Sequence, residues 1–175
     1  MRFPRAKSWC LRIYLDKRYE GIVADAAATI ASVAGCTVRR YDHAPGVTIL
    51  HASAPYWPAI LPQHGPGKKH LRPIVLEPWQ EQVTARFPQE LLRGLIHSDG
   101  CRCVNRFSTR LPSGRVAKYA YPRYFFTNYS ADIRDIFCRH CELVGIRWTR
   151  PSFKNISVSD RKSVAILDGF VGPKR

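Results

Sequence analysis

The hydrophobic patterning predicts an α+β fold in the order helix, two strands, helix, two strands, helix. Three observations carry the prediction. Residues 101–109 and 118–128 alternate like strands on either side of the turn Leu111-Pro112-Ser113-Gly114. Beyond them, Ile133, Ile136, Phe137 and Leu143 recur at helical spacing. Part of the same order is also repeated in the first half of the chain.

In the first half, a strand at residues 12–15 leads into a helix ending near Gly35, then strands at 37–40 and 47–50 and a closing helix. The start of the unit, its first helix and first strand, is missing. Residues 62–73, PQHGPGKKHLRP, are rich in Pro, Gly and cations and read as a linker able to touch phosphate. A connecting helix is expected over 77–87. The complete unit opens with a helix over 88–98, where Pro88 suits the first helical position, Glu90 favours the first turn and Gly100 is a stop. After the hairpin, Ser130 is the expected N-cap of a helix over 131–144 that ends at Gly145. Residues 146–150 and 155–159 read as a further strand pair, and a last helix spans about 162–170. The chain thus divides into a partial first repeat (1–61), a linker (62–76), and a connecting helix with a complete repeat (77–175).

Charge narrows the partners. The 175 residues carry 28 Lys and Arg against 13 Asp and Glu, a net charge of +15. Such an excess attracts a polyanion, because each cation placed near a phosphate releases condensed counterions. The cations are interleaved with structure-forming residues rather than gathered in a tail, which favours a folded binding face over a disordered arm. A merely basic soluble protein is the plainer alternative. The charged start Met1-Arg2-Phe3-Pro4-Arg5 does not read as a signal peptide, and the small-residue stretch 24–35 is too short to span a bilayer. No membrane partner is expected, and a cytoplasmic location follows, with reduced thiols. The pairs Cys101/Cys103 and Cys138/Cys141 leave open a four-thiolate zinc site, although a strand and a helix respectively place them more naturally as small core residues.

The helix over 88–98 carries the chemistry. Leu92, Leu95 and Ile96 bury against the sheet, while Gly94 and Ser98, one turn apart, form a narrow stripe that lets a second helix approach closely. Asp99 follows at the C-terminal end, where the helix macrodipole disfavours a carboxylate. An acid placed there points to a bound cation, and Mg²⁺ suits carboxylate and carbonyl oxygens. A solvated Asp ahead of a glycine stop is the alternative.

The segment LRGLIHSDG at 92–100 resembles the signature of the LAGLIDADG (DOD-type) homing endonucleases. Leu92, Gly94, Leu95, Ile96, Asp99 and Gly100 match it; His97 departs at the first acidic position and Ser98 replaces a small alanine. The element order, the partial duplication, the linker and the tail FVGPK at 170–174 are similar to actinobacterial members of that group. The resemblance implies αββαββα repeats with curved antiparallel sheets facing double-stranded DNA and helices behind. It also implies paired metals, held by one acid from each of two crossing helices, that activate water for phosphodiester hydrolysis. Asp99 takes the metal-binding position, with the Ser98 carbonyl as a further ligand. Arg161 and Lys162 take the basic positions at the turn into the last helix, which help to activate water; the matching place near Ala54-Pro55 has no cation. The first motif helix and its acid are absent, so the resemblance implies an upstream segment, a homodimer through Gly94 and Ser98, or an inactive remnant. Beside the intron- or intein-associated endonuclease stand two other readings. One is a non-catalytic transcription regulator on the same scaffold; the other is a protein that binds RNA or assists splicing.

Strand parity supplies the expected DNA contacts. Arg102, Val104, Arg106, Ser108 and Arg110 share one face, and Cys103, Asn105 and Phe107 the other. Arg147 and Thr149 lie opposite Trp148, as Thr37 and Arg39 lie about Val38. With Arg12 and Arg123 these arginines are expected to meet phosphates and base edges. Tyr121, Tyr124, Phe125 and Phe126 are expected in the core rather than on bases.

Overall fold

The computed structural model describes residues 8–175, apart from the side chain of Lys69, so the charged start Met1 to Arg5 lies outside the described residues. The chain forms two compact units, Met1–Pro66 with Pro173–Arg175, and Gly67–Gly172.

In the first unit, β1 (Trp9–Asp16), β2 (Val38–Ala44) and β3 (Val47–Ala54) form an antiparallel sheet in the order β1-β3-β2. The alternation of β3 sets its faces: Thr48, Leu50, Ala52 and Ala54 are buried. The first strand sends Leu11, Ile13 and Leu15 to the same side, and α1 (Glu20–Ala34) covers them with Val23, Ile30 and Ala34. Gly35 ends α1 in the left-handed region (φ 52°), where its amide donates to the Ala31 carbonyl. The closing helix is a single turn, α2 (Trp57–Ile60), whose Trp57 indole donates to the Ala52 carbonyl at 2.9 Å. The last residue belongs to this unit, its carbonyl accepting from the Ile22 amide at 3.0 Å.

The second unit begins with α3 (Pro78–Arg86), opened by a reciprocal capping box between Glu77 and Gln80. Next come α4 (Pro88–Asp99), β4 (Gly100–Arg110), β5 (Val116–Thr127), α5 (Ala131–Leu143), β6 (Asn155–Val158) and α6 (Arg161–Phe170). The three strands form an antiparallel sheet in the order β4-β5-β6. Ser130 caps α5 as expected, accepting from the Ile133 amide, and Gly145 leaves it at φ 71°. The expected strand at 146–150 reduces to one bridge between Thr149 and Ser157. There the Arg147 amide donates to the Ser163 hydroxyl, and Pro151 brings no donor to continue a ladder.

One side of this sheet is buried. Leu92 and Ile96 from α4, Phe137, Cys138 and Cys141 from α5, and Val164 and Leu167 from α6 pack on Tyr124, Phe126, Ile156 and Val158. Phe126 and Phe137 stack at the centre, 4.4 Å between centroids. Burial pushes the Cys138 thiol up to about 11 and raises that of Cys141 further. Both are core groups, while Cys101 and Cys103 occupy the other side of the sheet, so the four thiols do not converge.

Gly100 is the stop expected of it, although not through a left-handed cap. Its backbone is extended (φ −112°), and α4 runs straight into β4. A Cβ here meets the Ile96 Cα at 2.9 Å and the Ile96 and Phe125 carbonyl oxygens at 3.0 Å, all of them backbone. Gly100→Ala is therefore expected to destabilise the unit by about 1–3 kcal/mol, the usual cost of overpacking, read as a lowered midpoint in urea unfolding with unchanged slope.

Candidate metal and nucleic-acid site

Asp99 stands exposed at the last position of α4. The Asn128 side-chain amide donates to its Oδ2 at 2.9 Å, offsetting the unfavourable end of the helix macrodipole. Asn128 is itself buried and fully engaged. Its Oδ1 accepts from the Ser130 amide at 2.9 Å, its carbonyl accepts from the Arg134 guanidinium at 2.6 Å, and its amide donates to the Lys154 carbonyl at 3.0 Å. One buried side chain thus ties the acid of α4 to the cap of α5. Asn128 is not among the residues that patterning singles out, although an Asn two residues before a capping Ser is the signal of an Asx turn. Asn128→Ala is expected to leave the Ser130 amide without its partner and to cost about 1–3 kcal/mol; thermal melting of the variant measures it.

Gly94 and Ser98 line the outer face of the same helix. Both are exposed, a Cβ on Gly94 has nothing within 4 Å, and the Ser98 hydroxyl donates back to the Leu95 carbonyl at 2.9 Å. Arg161 and Lys162 are exposed in the first turn of α6. Lys162 bears on Asp160, the cap of α6, whose carboxyl is held below the usual range first by the Ser163 amide and hydroxyl, then by Arg147 and Lys162. Arg147 is exposed and paired with that carboxylate at 3.0 Å.

Register decides which arginines lie on open surface. In the first unit Arg12, His51 and Arg39 are opposite one another across all three strands, on the side away from α1. A recess of about 250 Å³ lined by Cys36, Thr37, Arg39, His51 and Ser53 opens beside this row. In the second unit the row Arg102, Arg106 and Arg110 pairs with Tyr124, Ala120 and Val116, so it shares the face of the buried Tyr124 and Phe126. Arg102 binds Asp168 of α6 through two hydrogen bonds, 2.8 and 2.9 Å, and the Tyr124 hydroxyl donates to the same carboxylate at 2.6 Å. Arg102 chiefly, with that hydroxyl, holds the Asp168 carboxyl below its ordinary range. Arg106 and Arg110 lie further along the strand and are exposed. The open side carries Cys101, Cys103, Asn105 and Phe107 against Phe125, Arg123, Tyr121 and Tyr119. Here Arg123 lies over the Phe125 ring at 5.0 Å. Tyr121 and the half-buried Phe125, both expected in the core, stand on this open face.

A single carboxylate with flanking carbonyls is a fitting half-site for Mg²⁺, which binds through one or two carboxylates and completes its shell with water and substrate phosphate. Among the described residues no group of three or more His, Cys, Asp or Glu is placed to hold a metal ion, so a second acid is needed for a pair.

No protein-family model and no curated sequence matches the chain. Among solved structures, the chain is similar to the LAGLIDADG meganuclease I-AabMI bound to uncleaved DNA, with a TM-score of 0.55 and 12% identity over 92% of this chain and 73% of that one. At that identity the likeness establishes a shared fold.

Proposed function

We propose that this chain is a DNA-binding protein of the homing-endonuclease type, with α4 as its motif helix. The observation that carries the reading is Asp99, held exposed at the end of α4 by Asn128 while Gly94 and Ser98 stay open one turn earlier. That the similar meganuclease was solved on DNA supports DNA as the partner. Arg12 and Arg39 share the open face of the first sheet and Arg123 lies on that of the second, which supports them as the cations that would meet phosphates or base edges. Arg106 and Arg110 extend the positive surface along the hairpin, and Arg147, exposed beside Asp160, is a further candidate contact.

For catalysis, a second α4 must bring a second carboxylate. A homodimer joined along Gly94 and Ser98 supplies it, since the absence of bulky side chains lets the two helix backbones approach and sets the two Asp99 side by side. Mg²⁺ held there would polarise the phosphate and lower the pKa of bound water. The chain's own part is to fix the carboxylates through Asn128, to offer the Ser98 carbonyl, and to set Arg161 and Lys162 where they offset developing negative charge.

The reading of a non-catalytic regulator has one observation in its favour: among the described residues, no cluster of acids joins Asp99 to hold a metal. Incubation with randomised duplex DNA and Mg²⁺ separates the two. Metal-dependent double-strand cleavage supports the endonuclease; sequence-selective binding without cleavage supports the regulator. Absence of duplex binding contradicts both.

A further inference from the structure

We propose that the outer half of the β4–β5 hairpin is a stacking platform for unpaired bases of a DNA strand. The proposal rests on the reading of the chain as DNA-binding and adds the form of DNA that this element takes.

Phe107 lies directly across from Tyr119, and Tyr121 is two residues further on the same face. Their rings form one cluster: Phe107 and Tyr119 are 5.3 Å apart at 28°, and Tyr119 and Tyr121 are 5.9 Å apart and nearly parallel at 16°. The cluster is in contact with solvent, with Phe107 46% and Tyr121 41% exposed. Pairing with β6 reaches only residues 124–127 of β5. Beyond that point even the helix-side row, Arg106, Ser108, Arg110, Val116 and Lys118, is exposed. The aromatic cluster is therefore not the edge of a core. It is an aromatic surface on a projecting ribbon, the kind of patch that marks a binding site.

Its electrical setting names the partner. From Gly100 to Thr127 the hairpin carries six cations, Arg102, Arg106, Arg110, Arg115, Lys118 and Arg123, and no Asp or Glu. Among the described residues, only Arg102 of these has a carboxylate partner. Arg123 shares the aromatic face, and Arg106, Arg110 and Lys118 line the opposite face of the same ribbon; exposed rings on a ribbon of that charge suit a ligand that is both anionic and flat. A paired duplex hides its base faces within the stack and offers only edges in its grooves. An unpaired strand exposes those faces, and a ring stacked on each base strengthens binding without regard to sequence.

The test compares binding of an oligothymidylate, an oligouridylate and a fully paired duplex by fluorescence anisotropy, in the wild-type chain and in Phe107→Leu/Tyr121→Leu. The oligothymidylate is expected to bind, and the double variant to weaken it at least about tenfold while duplex affinity falls by a clearly smaller factor. Phe107→Tyr/Tyr121→Phe, which keeps both rings, is expected to retain single-strand binding and covers the case in which the leucine variant does not fold. Equal losses for single-stranded and duplex DNA, an unchanged oligothymidylate affinity in a folded leucine variant, or preference for the oligouridylate would overturn the proposal. Binding of the duplex alone overturns it but leaves the DNA-binding reading standing, whereas binding of no DNA removes both.

Discussion

Replacing Phe126 by Ala is expected to lower the stability of the second unit by about 3–5 kcal/mol, the usual range for truncating a buried aromatic. Phe126 is 1% exposed and stacked on Phe137, itself 1% exposed, at the point where β5 meets α5. Leu92, Ile96 and Ile156 belong to the same buried cluster, so the vacated space is walled by side chains already fixed in position. Removing the ring forfeits its transfer from water and its packing against that wall. For a domain of this size a loss of that magnitude lowers the melting temperature by roughly 15 °C or more. It approaches the whole stability of a marginal domain, which is typically about 5–15 kcal/mol. Calorimetry of Phe126→Ala beside Phe126→Leu checks the argument, because leucine refills part of the volume and is expected to recover much of the loss.

Asp99→Asn is the other change with a large expected effect, on cleavage rather than on folding. Asparagine has nearly the same shape, and Asp99 is exposed, so the melting temperature is expected to move little. What changes is the charge that would hold the metal. Electrostatic stabilisation by a metal at a phosphoryl oxygen amounts to several kcal/mol, so its loss lowers the cleavage rate by about a thousandfold or more. DNA affinity in the absence of metal is expected to persist, because removing a carboxylate from a surface facing a polyanion costs no attraction. A variant that cleaves at the wild-type rate would remove Asp99 from the chemistry.

The sequence declares the ends of its elements more clearly than its faces. Ser130, Gly145 and Gly35 act at the helix ends where capping chemistry places them, and the hairpin turns through Gly114 in the left-handed region (φ 81°). Alternation separates the two rows of β4 equally well. It carries no information on which row the helices cover, since Arg102 on the covered side looks like any surface arginine. Only the pairing with Tyr124 and the reach of Asp168 from α6 reveal that its head group leaves the covered edge for a carboxylate. Tyr121 is misplaced for the same reason, as its neighbour Tyr124, an odd number of residues away, takes the core. Residues 146–150 have strand-like alternation, but the hydrogen bond that decides their fate comes from Ser163, in the next helix. Asp99 draws attention because a helix-terminal acid conflicts with its local electrostatics; Asn128, which donates to it, lies 29 residues away in sequence, and its own Asx-turn signal points to Ser130 rather than to Asp99.

DNA is expected on the open sides of the sheets, away from the helices that cover the other sides. The most direct test is the salt dependence of duplex affinity in two variants. Arg12→Ala/Arg39→Ala/Arg123→Ala removes cations from the open faces, and Arg40→Ala/Arg102→Ala removes cations from the helix sides, where Glu20 and Asp168 already engage them. The triple variant is expected to bind more weakly, with a log–log salt slope reduced by about one for each phosphate that is no longer neutralised, and the double variant to bind as the wild type does. An unaffected triple variant, or an equal loss in the double, would contradict the placement of DNA on those faces.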